Sequence, residues 1–138
     1  MKQAVHRLTV VTSGQGLVEI TDPVMRWVTA QQIDTGLLTI WCRHTSASLL
    51  VQENADPDVR ADLLAFFRRI APENAPYRHT AEGADDMPAH IKTALTQTQL
   101  TIPLENGRPV LGTWQGIYLF EHRTASHRRE VVLHVIGD

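Results

Sequence analysis

Residues 2–12 alternate Ala4, His6, Leu8 and Val10 with Val5, Arg7, Thr9 and Val11, a two-residue period that fits a strand and not a helix. The same period returns where Leu100, Ile102 and Leu104 interleave with Thr101, Pro103 and Glu105. The turn that follows carries Asn106-Gly107, the strongest short-range hairpin signal. Leu111–Glu121 reads as the continuation of that hairpin, and Pro103 marks a sheet edge or a bulge. Leu17–Ile20, the apolar run Leu37–Cys42, Leu49–Val51 and Glu130–Ile136 supply further strands, Leu37–Cys42 as a buried one.

Helices are fewer. Thr21-Asp22-Pro23 is a capping side chain followed by proline, and Val24, Trp27, Val28 and Gln31 recur after it at helical spacing. Asp56-Pro57 opens the longest helix, whose stripe Val59, Leu63, Phe66, Phe67 and Ile70 is expected to pack into the core; Pro72 stops it. A short third helix starts at Asp86, with Pro88 in its first turn, and ends near Thr96. Six or more strands, mostly hairpin-linked, with two clear helices and one short one, make an α+β fold of antiparallel, sandwich-like sheets. No GxGxxG or Walker loop is present, which removes the dinucleotide and P-loop readings.

The chain of 138 residues is long enough for a core that takes in about two thirds of the unfolded surface, and no linker divides it, so one domain over 1–138 is expected. A net charge of −2 argues against a nucleic-acid footprint. The single cysteine, Cys42, excludes a disulfide within the chain and fits a reducing cytoplasm. No apolar run reaches the ~20 residues of a membrane helix, and MKQAVHRLTVVT is not expected to act as a secretion signal.

Chemistry concentrates in Tyr77–Lys92, YRHTAEGADDMPAHIK, where His79 and His90 flank Glu82, Asp85 and Asp86. Asp86 is placed to cap the third helix, with His90 about one turn in. The positive end of the helix dipole there favours the neutral imidazole that binds a metal or accepts a proton. The loop around Gly83 lets His79 fold back toward His90. No HExxH signature is present, so separate surface or core histidines are the competing reading. His44, in the HTSAS run at a strand end, is the third ligand candidate. Ser46 and Ser48 sit in no GxSxG elbow, and their hydroxyls suit phosphate binding or orientation of a water. His6 reads as a strand-face residue and His134 as a core or interface one. Gly112 and Gly116 bracket Trp114 and Gln115, which points to a close backbone approach by a ligand, a bulge or a neighbouring subunit.

Five segments carry a resemblance over nearly the whole chain: GLLTIWCRHTSASLLVQEN at 36–54, DPDVRADLLAFF at 56–67, YRHTAEGADDMPAHIK at 77–92, IPLENGR at 102–108 and GTWQGIYLFEHR at 112–123. Together they resemble the YjbQ-like proteins, also described as secondary thiamine-phosphate synthase enzymes. The resemblance implies a small α+β fold, a homotrimer, and a metal site formed by His44, His79 and His90. It implies Glu121, Asp86, Lys92 and Gln115 as catalytic groups around that site. Three imidazoles suit Zn²⁺, with Mg²⁺ the alternative favoured by diphosphate-leaving chemistry. The implied reaction couples a hydroxymethylpyrimidine diphosphate to a thiazole phosphate. The alternatives are a metal-dependent hydrolase of a phosphorylated metabolite and a non-catalytic metal- or anion-binding trimer. In each case the partner is a small phosphorylated molecule or anion, and neither nucleic acid nor membrane.

Overall fold

Eight strands and three helices run in the order β1 (Lys2–Thr12), β2 (Gly16–Glu19), α1 (Thr21–Ala30), β3 (Gly36–Cys42), β4 (Ala47–Glu53), α2 (Pro57–Ile70), α3 (Asp86–Leu95), β5 (Gln99–Glu105), β6 (Arg108–Pro109), β7 (Gln115–Glu121) and β8 (His127–Gly137). The computed structural model describes residues 1–138. All strand pairs are antiparallel. One sheet has the order β1-β8-β3-β5-β6 and the other β2-β7-β4.

The two sheets face each other across the main core. Leu38, Ile40 and Cys42 from β3 and Val131, Leu133 and Val135 from β8 meet Ala47 and Leu49 from β4 and Ile117 and Leu119 from β7. Because side chains alternate along a strand, the opposite face of β7 presents Tyr118 and Phe120 to the helical layer. Phe67 of α2 meets Phe120 edge-on at 5.3 Å between ring centroids, and Arg60 of the same helix donates to the Tyr118 hydroxyl at 3.2 Å. From α3, the Thr96 hydroxyl just past the helix donates to Ser48 Oγ at 2.6 Å. A third layer of α2 and α3 therefore covers the smaller sheet. α1 closes the side of the sandwich through Val24 and Val28, with Trp27 stacked on His6.

Several local expectations change. Leu37–Cys42 is buried on one face only: Leu37 and Trp41 are exposed, because nothing covers the outer side of the larger sheet. The α2 stripe is likewise half covered. Phe66 and Ile70 are exposed, since the helix rests on a narrow three-stranded sheet and buries no residue fully. Asp56 caps α2 as expected, accepting from Asp58 N at 2.9 Å. Thr21 instead accepts the Ile117 N–H at 2.9 Å and does not cap α1. Asn106 and Gly107 both adopt positive φ and close the β5–β6 hairpin, but β6 lasts two residues and the chain then crosses to the other sheet. Neighbours approach Gly116 closely: a Cβ there would lie 3.0 Å from Asn54 Cβ and 2.7 Å from Glu19 Oε2, the movable end of an exposed side chain.

Candidate metal centre

α3 begins at Asp86 as expected, but Asp86 does not cap it. Asp85 occupies the N-cap position, and its carboxylate is drawn away from the helix to Arg123 Nε (2.9 Å) and Thr124 N (2.9 Å). Burial works against that charge, but the Arg123 guanidinium and the Thr124 N–H outweigh it and hold Asp85 down at about 2. Arg123 also donates through Nη1 to Asp86 Oδ1 at 2.7 Å and through Nη2 to the Glu82 carbonyl at 2.9 Å. One guanidinium thus ties the 82–86 loop to the end of β7 and turns the second oxygen of Asp86 outward.

That oxygen, Asp86 Oδ2, lies 2.6 Å from His79 Nε2 and 3.0 Å from His90 Nε2. Asp86 and His90 are four apart and share one face of the helix. His79 reaches them because the chain reverses through Gly83 at φ +106°. His90 Nδ1 stands 2.7 Å from the Thr45 carbonyl, an oxygen that can only accept, so Nδ1 carries the proton. With Nδ1 protonated, Nε2 meets the carboxylate oxygen at 3.0 Å either as the second N–H of an imidazolium or as a lone pair that a bound cation would satisfy. His79, Asp86 and His90 offer ligand atoms all within 4.8 Å of one another, and they could hold one metal ion. Donors each about 2 Å from one ion stand no more than about 4 Å apart, which the two Asp86 contacts satisfy, while the ligand atoms of His79 and His90 lie within 4.8 Å of each other. The surroundings also match a metal site, in which a ligand imidazole passes its other N–H to a carbonyl and a ligand carboxylate is pinned through its free oxygen. The Asp86 side chain is 2% exposed and that of His79 is 41%, so the centre has a buried floor and one side open to solvent. Burial pushes the Asp86 carboxyl up, but the His79 hydrogen bond, the His90 charge and Arg123 together bring it below its ordinary value.

The other sequence candidates lie elsewhere in the single chain. His44 is not in the group. Its Nε2 accepts the Glu130 N–H at 2.8 Å, and burial followed by the Arg129 guanidinium lowers its basicity, which suits an acceptor. Its neighbour Thr45 reaches the centre instead, through a backbone oxygen that no side-chain motif can announce. Glu121 faces the space between the sheets, fully buried. It accepts from Thr12 Oγ1 (2.7 Å), Arg129 Nε (2.7 Å) and Arg123 N (3.2 Å), and it pairs closely with Arg129 Nη2. Gln115 is exposed and turns back to accept the Gly112 N–H at 2.8 Å. Lys92, two residues past His90, is rotated about 200° around the helix and lines a different cleft. The Ser46 and Ser48 hydroxyls are engaged internally, Ser46 by Arg129 (3.1 Å) and Ser48 by His122 Nε2 (2.9 Å). Burial, followed by the charge of Lys92, pushes His122 down to about 3.

Comparison with known proteins agrees with this architecture. The model of the family described as "UPF0047 protein YjbQ-like" matches residues 6–138. A UPF0047 protein from Synechocystis sp. is 52% identical over 132 residues, covering 95% of this chain and 90% of that protein. The UPF0047 protein YjbQ of Escherichia coli O157:H7 is 42% identical over 132 residues, covering 95% and 96%. A crystal structure from Clostridium acetobutylicum, described as a conserved protein of the yjbq/upf0047 family, superposes with a TM-score of 0.88 at 35% identity, covering 95% of this chain and 99% of that one.

Proposed function

The chain belongs to the YjbQ-like UPF0047 family, and from that premise we propose that it is a metal-dependent enzyme acting on a small phosphorylated substrate, with His79, Asp86 and His90 as the metal ligands. The observation that carries the reading is the convergence of His79 Nε2 and His90 Nε2 on Asp86 Oδ2, at 2.6 and 3.0 Å, with the His90 ring oriented by the Thr45 carbonyl. Two imidazoles and one carboxylate with an open side suit Zn²⁺ better than Mg²⁺, which prefers an oxygen shell.

The specific reaction we propose is the thiamine-phosphate synthase type. A thiazole nitrogen attacks the methylene carbon of a pyrimidine methyl diphosphate, the C–N bond forms, and the C–O bond breaks with its electron pair leaving on diphosphate. A bound divalent ion would supply Lewis-acid stabilisation of the departing oxygen charge. The protein's own residues act around it. Arg123 and the Thr45 carbonyl hold Asp86 and His90 in fixed orientations, so little reorganisation accompanies charge development. His79, 41% exposed, is the group of the three that an incoming substrate would meet first. Hydrolysis is the second reading, favoured by that exposure: water would take the place of the thiazole.

Chelator-stripped protein reloaded with Zn²⁺ or Mg²⁺ separates the two. Transfer predicts thiamine phosphate formed one for one with diphosphate, and only when thiazole phosphate is present. Hydrolysis predicts diphosphate release without it. No diphosphate release with either metal removes both. The expected homotrimer is assigned in this proposal to the outer face of the larger sheet, where Leu37 and Trp41 stand exposed beside Val132 and Ile136 in register.

A further inference from the structure

An open cleft of about 400 Å³ lies where the end of α2, the turn between β1 and β2 and the last turn of α3 come together. Its lining includes Gln15, Arg68, Glu73, Asn74 and Lys92, beside Ala71 and Pro72. Lys92 is 2% exposed, yet no hydrogen bond or ion pair within the chain engages its ammonium. A buried cation without a counter-ion is costly to hold, so long side chains of this kind are nearly always paired. Arg68, the second cation of the cleft, has no carboxylate partner either. Its Nε donates to Gln15 Oε1 at 3.4 Å, which leaves the Nη groups uncommitted. Gln15 is itself oriented, because its Nε2 donates to the His122 carbonyl at 3.1 Å. The amide dipole is thereby turned to steady Arg68 rather than to compete with it.

We propose that this cleft is an oxyanion site, binding a small phosphate- or diphosphate-bearing molecule through Lys92 and Arg68, on the side of α3 away from the metal centre. Two cations with no direct ion pair, one on a nearly enclosed side chain that Glu73 and Asp85 favour only from a distance, are the complement of a compact multivalent anion. A guanidinium fork and a point-charge ammonium are the two groups proteins use for phosphate oxygens. The Asn74 amide adds hydrogen-bonding capacity at the rim. Glu73 is the one acid in the lining, and it weakens the site without cancelling it.

The site does not depend on the metal reading, so it is tested on chelator-stripped protein, by calorimetric titration with inorganic phosphate and with diphosphate at low ionic strength. Wild type should bind, diphosphate more tightly. Lys92→Met should weaken binding at least about tenfold and Arg68→Gln several-fold, the scale of losing a charge-assisted hydrogen bond. Glu73→Gln should strengthen binding, and His90→Ala should leave it unchanged. Without ligand, Lys92→Met should melt about 2–4 °C above wild type, because an unpaired buried charge has been removed. The proposal fails if wild type binds neither anion. It fails if Lys92→Met binds as wild type does, or if its melting temperature falls, which would mark Lys92 as structural. Loss of binding in His90→Ala with Lys92→Met unaffected would place the anion at the metal centre and also overturn it.

Discussion

Glu121→Ala is expected to destabilise the fold by about 3–5 kcal/mol, the cost of breaking a buried ion pair and leaving one partner uncompensated. The stranded partner is Arg129, 5% exposed, and the Thr12 hydroxyl and Arg123 N–H lose their acceptor as well. Against a total stability of roughly 5–15 kcal/mol, that is a large fraction, and a melting temperature lower by about 10–20 °C should record it. Metal binding by the folded fraction should persist, because Glu121 lies between the sheets and not at the centre. Retention of full thermal stability with loss of turnover would instead make Glu121 a catalytic group. The pair also sets an acid limit. Burial raises the Glu121 carboxyl, but the hydrogen bonds of Arg129 and Thr12 outweigh it and hold it below its ordinary value in the folded state. Its stabilisation is therefore complete above the carboxylate range of the unfolded chain and disappears as pH falls through the folded-state value.

The second large effect belongs to Asp86. Asp86→Asn keeps the shape of the side chain and an oxygen to accept from Arg123 Nη1, so the fold should lose no more than about 1 kcal/mol, the scale of one weakened hydrogen bond. Metal affinity should nevertheless fall by 100-fold or more, since an amide replaces the carboxylate that faces both imidazoles and even supporting contacts are worth about 10–100-fold. Equilibrium dialysis against a competing chelator, run beside thermal melts, separates the two quantities. A parallel loss of both would make Asp86 a structural anchor for Arg123 and nothing more.

Where contacts are local, the residues themselves announce the centre. Asp86 and His90 are one turn apart on a helix foreshadowed by Pro88, and the reversal at Gly83 brings back His79. Alternation also contains a message about Glu121 that the motif obscures. It shares a strand face with Ile117 and Leu119, as Arg129 does with Val131, Leu133 and Val135, so two inward-facing opposite charges had to meet between the sheets. The HTSAS motif misleads for the opposite reason. The partner of His44 is the Glu130 N–H, and the service that Thr45 renders is a backbone carbonyl, both invisible to side-chain patterning. The outer face of the larger sheet and the exposed flank of α2 follow from which elements stack on which, a question that hydrophobic spacing alone leaves open. The Lys92 cleft is drawn from three distant segments and has no linear signature.

His79, Asp86 and His90 are proposed to hold one divalent ion. Calorimetric titration of chelator-stripped protein with Zn²⁺ tests it most directly, with His79→Ala, Asp86→Asn and His90→Ala measured alongside. Wild type should bind one ion per chain, and all three variants should lose that site with helical and sheet content retained. Wild type that takes up no ion, or variants that bind it as tightly as wild type, would contradict it. The close approach of His90 to Asp86 would then be an imidazolium–carboxylate pair.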